Sequence, residues 1–349
     1  MEFWRLGAPP SEISAMRCVI AGVLLAASLL ASGTQTPPQP PNLSLVSTVW
    51  PPFTNPEGQP RFALDLVEAG LHRIGLTATT TIVGAPQFTS NLLGDKYDGS
   101  AAAWKDAERE RVLVFSRPYL ENRLVLVGRR GSDVTATALA DLKGKRIALV
   151  EGYSYGDAVE GPGPSFVSSS SEEDSLARLL KAEVDYTLMD ELVVQYIVSH
   201  HPQESGARLQ IGTTPLVKRD LHLAIKRSRP DALSIIVRFD EQVRQMIVDR
   251  TYHRLLHVDW IRADIDGDGI AENVPRSDQT GPLEPQRAYL LFSSPQPQPQ
   301  PAPTVEKPGF YVGGNIYRDW ASIPNRYKAE DPHPPDARRS TASIFRFAW

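Results

Sequence analysis

Apolar and polar residues alternate through LSLVSTVW (residues 43–50), the period of a half-buried strand. The period then lengthens. ALDLVEAGLHRIGL puts Leu64, Val67, Leu71 and Ile74 on one helical face, and Gly75 supplies a stop. A short strand at Thr79–Val83 and a helix near Gln87–Leu93 follow, so the chain opens as a βαβ unit. That order predicts a parallel sheet with helices on its faces. The same grammar returns after Ala138. LADLKGKRIALVEGYSYG reads as a short helix, a turn at Lys143-Gly144, a buried strand over Arg146–Val150 and a glycine-containing loop. SEEDSLARLLKAEVDYTLMD then gathers acidic residues in a first helical turn, where the macrodipole favours them, before a strand over Val184–Met189. From Arg219 the pattern predicts a strand, a turn at Arg229-Pro230 and a helix capped by Asp231, with Leu233, Ile236, Val237, Val243, Met246 and Ile247 as its apolar face.

The ends of the chain carry different patterns. CVIAGVLLAASLLA, residues 18–31, is apolar, follows Arg17 and is shorter than the ~20 residues needed to span a bilayer. Residues 1–33 are therefore expected to form a signal peptide, starting at Met1 or Met16, with a retained anchor or buried helix as the other reading. The only cysteine, Cys18, lies before the apolar run and not after it, which argues against a lipid-modified cysteine. Cleavage would leave no thiol and no disulfide. Residues 34–42 form a Pro-rich spacer, residues 263–290 an Asp-rich loop and extension, residues 291–308 a Pro/Gln linker, and residues 309–349 a C-terminal tail to which the pattern assigns no fold. At 41% hydrophobic and 22% charged residues, the chain as a whole has ordinary globular composition. The net charge of -4 gives no basic field for nucleic acid and leaves small neutral or zwitterionic partners open.

Six segments in register narrow the fold further. Trp50-Pro51-Pro52-Phe53, HRIGL, Asp98-Gly99, AERERVLVFSRPYL, LADLKGKRIALVEG and EVDYTLMD occur in an order and spacing that resembles bacterial periplasmic solute-binding proteins of the polar amino acid type, family 3. The resemblance runs from about residue 43 to 260 and implies an α/β, two-lobed periplasmic-binding-protein-like (type II) fold with a hinge, followed by an irregular C-terminal extension. Lobe 1 would comprise residues 43–125 and 220–262, and lobe 2 residues 126–219. RLVLVGRR and DLHLAIK would cross between them, and a ligand would sit in the cleft as the lobes close.

In that family an arginine six positions before the Phe of the Phe-Ser-x-Pro-Tyr segment grips the ligand carboxylate, and Arg109 stands six before Phe115. A planar guanidinium offers two parallel donors to a carboxylate. Arg111 would point elsewhere. The resemblance assigns Asp190 to the ligand's amino group; the same aspartate also reads as the N-cap of ELVVQYIV. Trp50 would cover the ligand or fill the core. Gly152, Tyr153 and Ser154 match a loop whose N–H and hydroxyl groups reach the carboxylate. Three positions depart from the pattern. Asp106 replaces a threonine and Trp104 a small residue, so both enter the candidate site and an ordinary α-amino acid is not the implied ligand. Arg117 likewise stands where an acidic residue is common.

Asp264, Asp266 and Asp268 alternate ahead of Gly269, as in calcium loops, and Glu272 would be an extra ligand; position twelve is Pro275 where an EF-hand has glutamate. The loop reads either as a structural Ca2+ site or as a solvated acidic turn. His200 and His201 are adjacent and do not suit one zinc ion, and no nucleophile or phosphate-loop motif is present. The expectation is an exported, periplasmic, monomeric solute-binding protein. It would serve ABC-type uptake or sensing, meet an inner-membrane transporter or sensor, and need no cofactor for function. Two alternatives stand beside it. One is a cyclohexadienyl/arogenate dehydratase-like enzyme using Asp106 or Asp190 as acid; the other is an envelope interaction protein recruiting partners through its tail.

Overall fold

A nine-stranded sheet runs through the molecule in the order β2-β1-β3-β9-β5-β8-β6-β7, with β4 paired to β9. The computed structural model describes residues 42–159, 161–256, 259–281, 283–285, 289–290 and 308–328. The expected signal peptide (residues 1–33), spacer residues 34–41, linker residues 291–307 and tail residues 329–349 lie outside the described residues. Among the described residues, no helix is long and apolar enough to cross a membrane.

The first lobe begins with β1 (Asn42–Thr48), which pairs in parallel with β2 (Thr77–Val83) and β3 (Gly99–Trp104). Helix α1 (Phe62–Arg73) buries Leu64, Val67 and Leu71 as its spacing predicts, and Gly75 follows at φ 78°. Helices α2 (Ala85–Leu93) and α3 (Ala107–Val112) follow β2 and β3, and β4 (Leu113–Phe115) closes the set. The second lobe holds β6 (Arg146–Val150), β7 (Ser165–Ser169) and β8 (Tyr186–Asp190), with β6 parallel to both of the others. Helices α4 (Glu172–Leu180), α5 (Glu191–His200) and α6 (Pro202–Arg208) belong to the same lobe.

Two strands join the lobes. β5 (Leu120–Arg129) and β9 (Leu209–Lys226) pair antiparallel from Leu120 opposite Leu221 to Arg129 opposite Leu209. One end of β9 pairs with β3 and β4, while β5 pairs with β8. The expected pair of crossing strands is thus continuous backbone, a geometry that bends as a hinge.

The chain returns to the first lobe through α7 (Ala232–Val248) and α8 (Thr251–Leu256). Helix α7 corrects two expectations. It buries Ile235, Ile236, Phe239, Val243, Met246 and Ile247, whereas Leu233 and Val237 are 66% and 60% exposed. The apolar face is wider than the core contact, and packing selects the part centred on Phe239. Asp231 precedes the helix but makes no capping bond; its carboxylate pairs with Arg229 at 2.7 Å.

The C-terminal region is more ordered than its sequence pattern suggests. β10 (Trp260–Ala263), β11 (Glu272–Pro275), β12 (Tyr289–Leu290), β13 (Phe310–Val312) and β14 (Asn315–Tyr317) form a second sheet in the order β12-β10-β11-β13-β14. Strands of two to four residues cannot display a period. Phe310, Val312 and Ile323 form its small core, with Trp260 and Trp320 packed against them. Buried His253 on α8 reaches Val274 O at 3.0 Å and ties this sheet to the first lobe.

Candidate functional site

Parallel strands present their C-terminal ends on one edge, and loops leaving that edge are where open α/β sheets gather ligand groups. Both lobes place that edge at the cleft. Trp50 follows β1, Phe88 and Thr89 lie on the helix after β2, and Trp104-Asp106 ends β3. Facing them, Gly152-Tyr153-Ser154 follows β6, Glu172 opens the helix after β7, and Asp190 ends β8.

Arg109 is 3% exposed. One terminal nitrogen donates to Trp104 O at 2.8 Å; the other donates to Thr89 Oγ1 at 3.1 Å and to Gly152 O at 3.4 Å. Its Nε lies 3.4 Å from Asp106 Oδ2, and the guanidinium sits 5.6 Å from the Phe88 ring centre. Burial lowers the Arg109 pKa, and the Asp106 charge acts against that. Asp106 caps α3 by accepting from Arg109 N at 2.8 Å and also accepts from the Ser154 hydroxyl at 2.6 Å. Burial opposes its ionisation, but these bonds and the Arg109 charge outweigh burial and hold the carboxyl below its usual range. The Gly152 and Ser154 contacts cross from the second lobe to the first. Gly152 has φ 81°, and a Cβ there would stand 2.6 Å from Ala85 O, so the close approach of the lobes requires glycine.

Asp190 is 1% exposed and does cap a helix: Leu192 N donates to it at 2.8 Å. Its other oxygen accepts from Asn122 Nδ2 and from Arg123 N, each at 3.0 Å. Burial nevertheless pushes the carboxyl up to about 7. Glu172, 6% exposed, is pushed further, to about 8, by burial and by the Asp190 charge.

Arg109 and Asp190 lie on opposite lobes, but Trp104 stands between them. Arg109 donates to the Trp104 carbonyl, the Trp104 indole donates to Asn122 Oδ1 at 2.8 Å, and the Asn122 amide donates to Asp190. Trp104 also meets the rings of Trp50, Tyr153 and Tyr155 at 5.5 to 5.6 Å between centres, edge to face. Trp50 is therefore a core ring and a cleft ring at once, with Phe53 4.4 Å away. Arg219 sits 6.0 Å from the Trp104 ring centre. The lobes are shut on these side chains, and the residual cavity of about 20 Å3, bordered by Ser47, Thr48, Phe88, Arg109 and Tyr153, has the size of one water molecule.

Of the eight cleft residues expected from the sequence, Trp50, Trp104, Arg109, Gly152, Tyr153 and Ser154 border this cavity, whereas Asp106 lies behind Arg109 and Asp190 is reached only through Trp104 and Asn122. Sequence reasoning missed Asn122, Glu172, Tyr155 and Arg219. Asn122 was detectable as a polar residue in an apolar strand, whereas Glu172 is indistinguishable in sequence from a solvated first-turn acid.

The aspartate loop between β10 and β11 brings oxygens of Asp264, Asp266 and Asp268 within 4.8 Å of one another. The loop's own amides engage these carboxylates: Gly267 N and Gly269 N donate to the two Asp264 oxygens at 2.7 and 3.0 Å. Glu272 is buried and accepts from Ile265 N at 3.0 Å.

No protein-family model matches the chain. In sequence it is 25% identical over 239 residues to the ABC transporter arginine-binding protein 1 of Escherichia coli K12, a match covering 66% of this chain and 96% of that protein. It is 26% identical over 154 residues to the virulence sensor protein BvgS of Bordetella bronchiseptica, covering 43% of this chain and 12% of the sensor. In structure, an ancestral arginine-binding protein bound to arginine superposes with a TM-score of 0.53 at 20% identity, covering 63% of this chain and 98% of that one. The GluR0 ligand-binding core of Nostoc punctiforme, in complex with L-glutamate, gives 0.51 at 21% identity, covering 61% and 96%. The chain thus has the two-lobed type II periplasmic-binding fold and is similar to amino-acid solute-binding proteins.

Proposed function

We propose that this chain is an exported solute-binding protein. It captures a small amino-acid-like or carboxylate-bearing solute between its lobes and delivers it to an ABC-type transporter or a membrane sensor. The observation that supports this reading is a buried guanidinium, Arg109, on the helix after β3, and a buried carboxyl, Asp190, at the end of β8, carried by opposite lobes and linked through Trp104 and Asn122. Capture begins with bending at β5 and β9. Opening parts Ser154 from Asp106 and Gly152 O from Arg109, and frees the guanidinium edge for a carboxylate. The solute's amino group meets Asp190, and closure returns Trp50 and Tyr153 over it. Trp104 yields its place as the solute enters.

A melting-temperature screen of amino acids, polyamines and organic acids tests this, because a ligand of the folded state raises the transition. Stabilisation by a member of the set is expected, and it should vanish in Arg109→Ala. A screen with no response contradicts the reading.

The raised carboxyls favour one second reading, since an acid protonated near neutrality is what a dehydratase of this fold would use. Incubation with prephenate or arogenate, followed at the product absorbance band, separates the two; no product removes the enzyme reading.

A further inference from the structure

The seam between the lobes is held by the protein's own groups, and one carboxylate stands at its centre. Asp106 divides its two oxygens between two tasks. Oδ1 caps α3 by accepting from Arg109 N at 2.8 Å, while Oδ2 meets the second lobe, where the Ser154 hydroxyl donates to it at 2.6 Å. The same Oδ2 lies 3.4 Å from Arg109 Nε. A single oxygen therefore touches the buried guanidinium of one lobe and the loop hydroxyl of the other. It does for those two groups what an incoming carboxylate would do.

The Ser154–Asp106 bond is also the strong point of its surroundings. Two hydrogen bonds beside it are longer: Thr89 Oγ1 and a terminal nitrogen of Arg109 both donate to Gly152 O, at 3.3 and 3.4 Å, near the outer limit for such bonds. The Asp106 carboxyl is held below its usual range, so the 2.6 Å bond has an ionised acceptor, and O–H···O⁻ bonds are roughly twice as strong as neutral ones. Farther along the seam, one terminal nitrogen of Arg219 on β9 donates to Lys105 O of the first lobe. A Cβ at Gly156 of the second lobe would stand 2.6 Å from the other. Gly152 and Gly156, at φ 81° and 79°, let the 152–156 loop come this close at both of its ends.

We propose that Asp106 is a built-in carboxylate that latches the lobes: by bridging Arg109 and Ser154 it makes the closed form the majority state of the chain on its own, so that closure does not wait for a solute. This rests on the solute-capture reading and adds how that site is regulated. A solute carboxylate that reaches Arg109 enters through the minor open form, and the apparent affinity is reduced by the fraction of the chain that is open. Loss of one hydrogen bond to a charged group shifts the closed-to-open ratio by about tenfold. A closed form in about tenfold excess in the wild type would then fall to near parity.

The test is small-angle scattering of the full chain with no titrant, after unfolding and refolding to strip any carried solute. Ser154→Ala, which removes the donor, is expected to have a larger radius of gyration than the wild type. Asp106→Asn keeps an oxygen to cap α3 but loses the charge, and should fall between the two. Melting transitions check that each variant is folded; should Ser154→Ala not fold, Asp106→Asn still decides. A radius of gyration equal to that of the wild type in either folded variant overturns the latch. Because no titrant enters, that result leaves solute capture standing, whereas a solute panel without any thermal response removes solute capture and leaves the scattering result as it is.

Discussion

Arg109 in the first lobe and Glu172 in the second are both buried beyond the C-terminal ends of parallel strands, yet their surroundings differ. Arg109 has a carbonyl on each lobe, a threonine hydroxyl and the Asp106 carboxylate. Glu172 has another acid and aromatic rings. The first charge is compensated in the closed form; the second is suppressed by protonation. Both ionisable groups stay buried, but only the compensated one keeps its charge. The arginine side of this cleft is therefore compensated by the protein's own groups, whereas the acid side is held neutral by burial.

Breaking the link between the two sides should have the largest effect. Trp104→Ala removes the indole that bonds Asn122 and leaves a cavity among Trp50, Tyr153 and Tyr155, so stability should fall by about 3–5 kcal/mol in denaturant titration. A loss under ~1 kcal/mol would mean the ring is not part of the packed closed form. Gly152→Ala comes next. Its Cβ would press on Ala85 O from a backbone at φ 81°, so the lobes should be held apart, with a larger radius of gyration in solution scattering and a loss on the order of 1–3 kcal/mol.

The acid side can be sharpened by pH. Glu172 and Asp190 keep protons in the folded state up to about 8 and about 7, while the unfolded chain releases them near 4. The unfolded state therefore binds fewer protons as pH rises, and stability falls, by about 1.4 kcal/mol per pH unit for one proton. Burial holds His253 at about 4, so its opposing contribution is complete above its unfolded value of 6.5. Between pH 6.5 and 8 the wild type should lose melting temperature more steeply than Glu172→Gln; equal slopes would remove the claim that Glu172 is protonated. The smallest effect concerns calcium. If Asp264, Asp266 and Asp268 bind it, millimolar Ca2+ should raise the melting temperature of the wild type, and Asp264→Asn should abolish the rise.

What the sequence disclosed follows the same division. Strand alternation, the α1 face and Gly75 are local signals, and the fold kept them. Asp190 stands at a strand end, Gly152 just past one, and Arg109 in the first turn of the helix that follows one, where a motif fixes position relative to the sheet edge. Glu172 was hidden because a first-turn acid looks the same whether it faces water or a cleft, and the difference lies in how β7 is placed beside β6. Asp231 misled because Arg229, two residues away, competes for its carboxylate. Leu233 and Val237 misled because an amphipathic pattern does not say how much of its face the core will use. The second sheet was illegible because its strands are shorter than the period that would reveal them, and its pairings join Asn273 to Phe310 across a long insertion.

The account stands on one cleft gripped from both lobes, and calorimetric comparison of the full chain with its Arg109→Ala variant tests that most directly. With L-arginine as titrant, the account predicts saturable binding at one site per chain. It also predicts that affinity is weaker by about 30-fold or more in the variant, the ~2 kcal/mol expected for a buried charge partner. Equal affinity in the two proteins would contradict it.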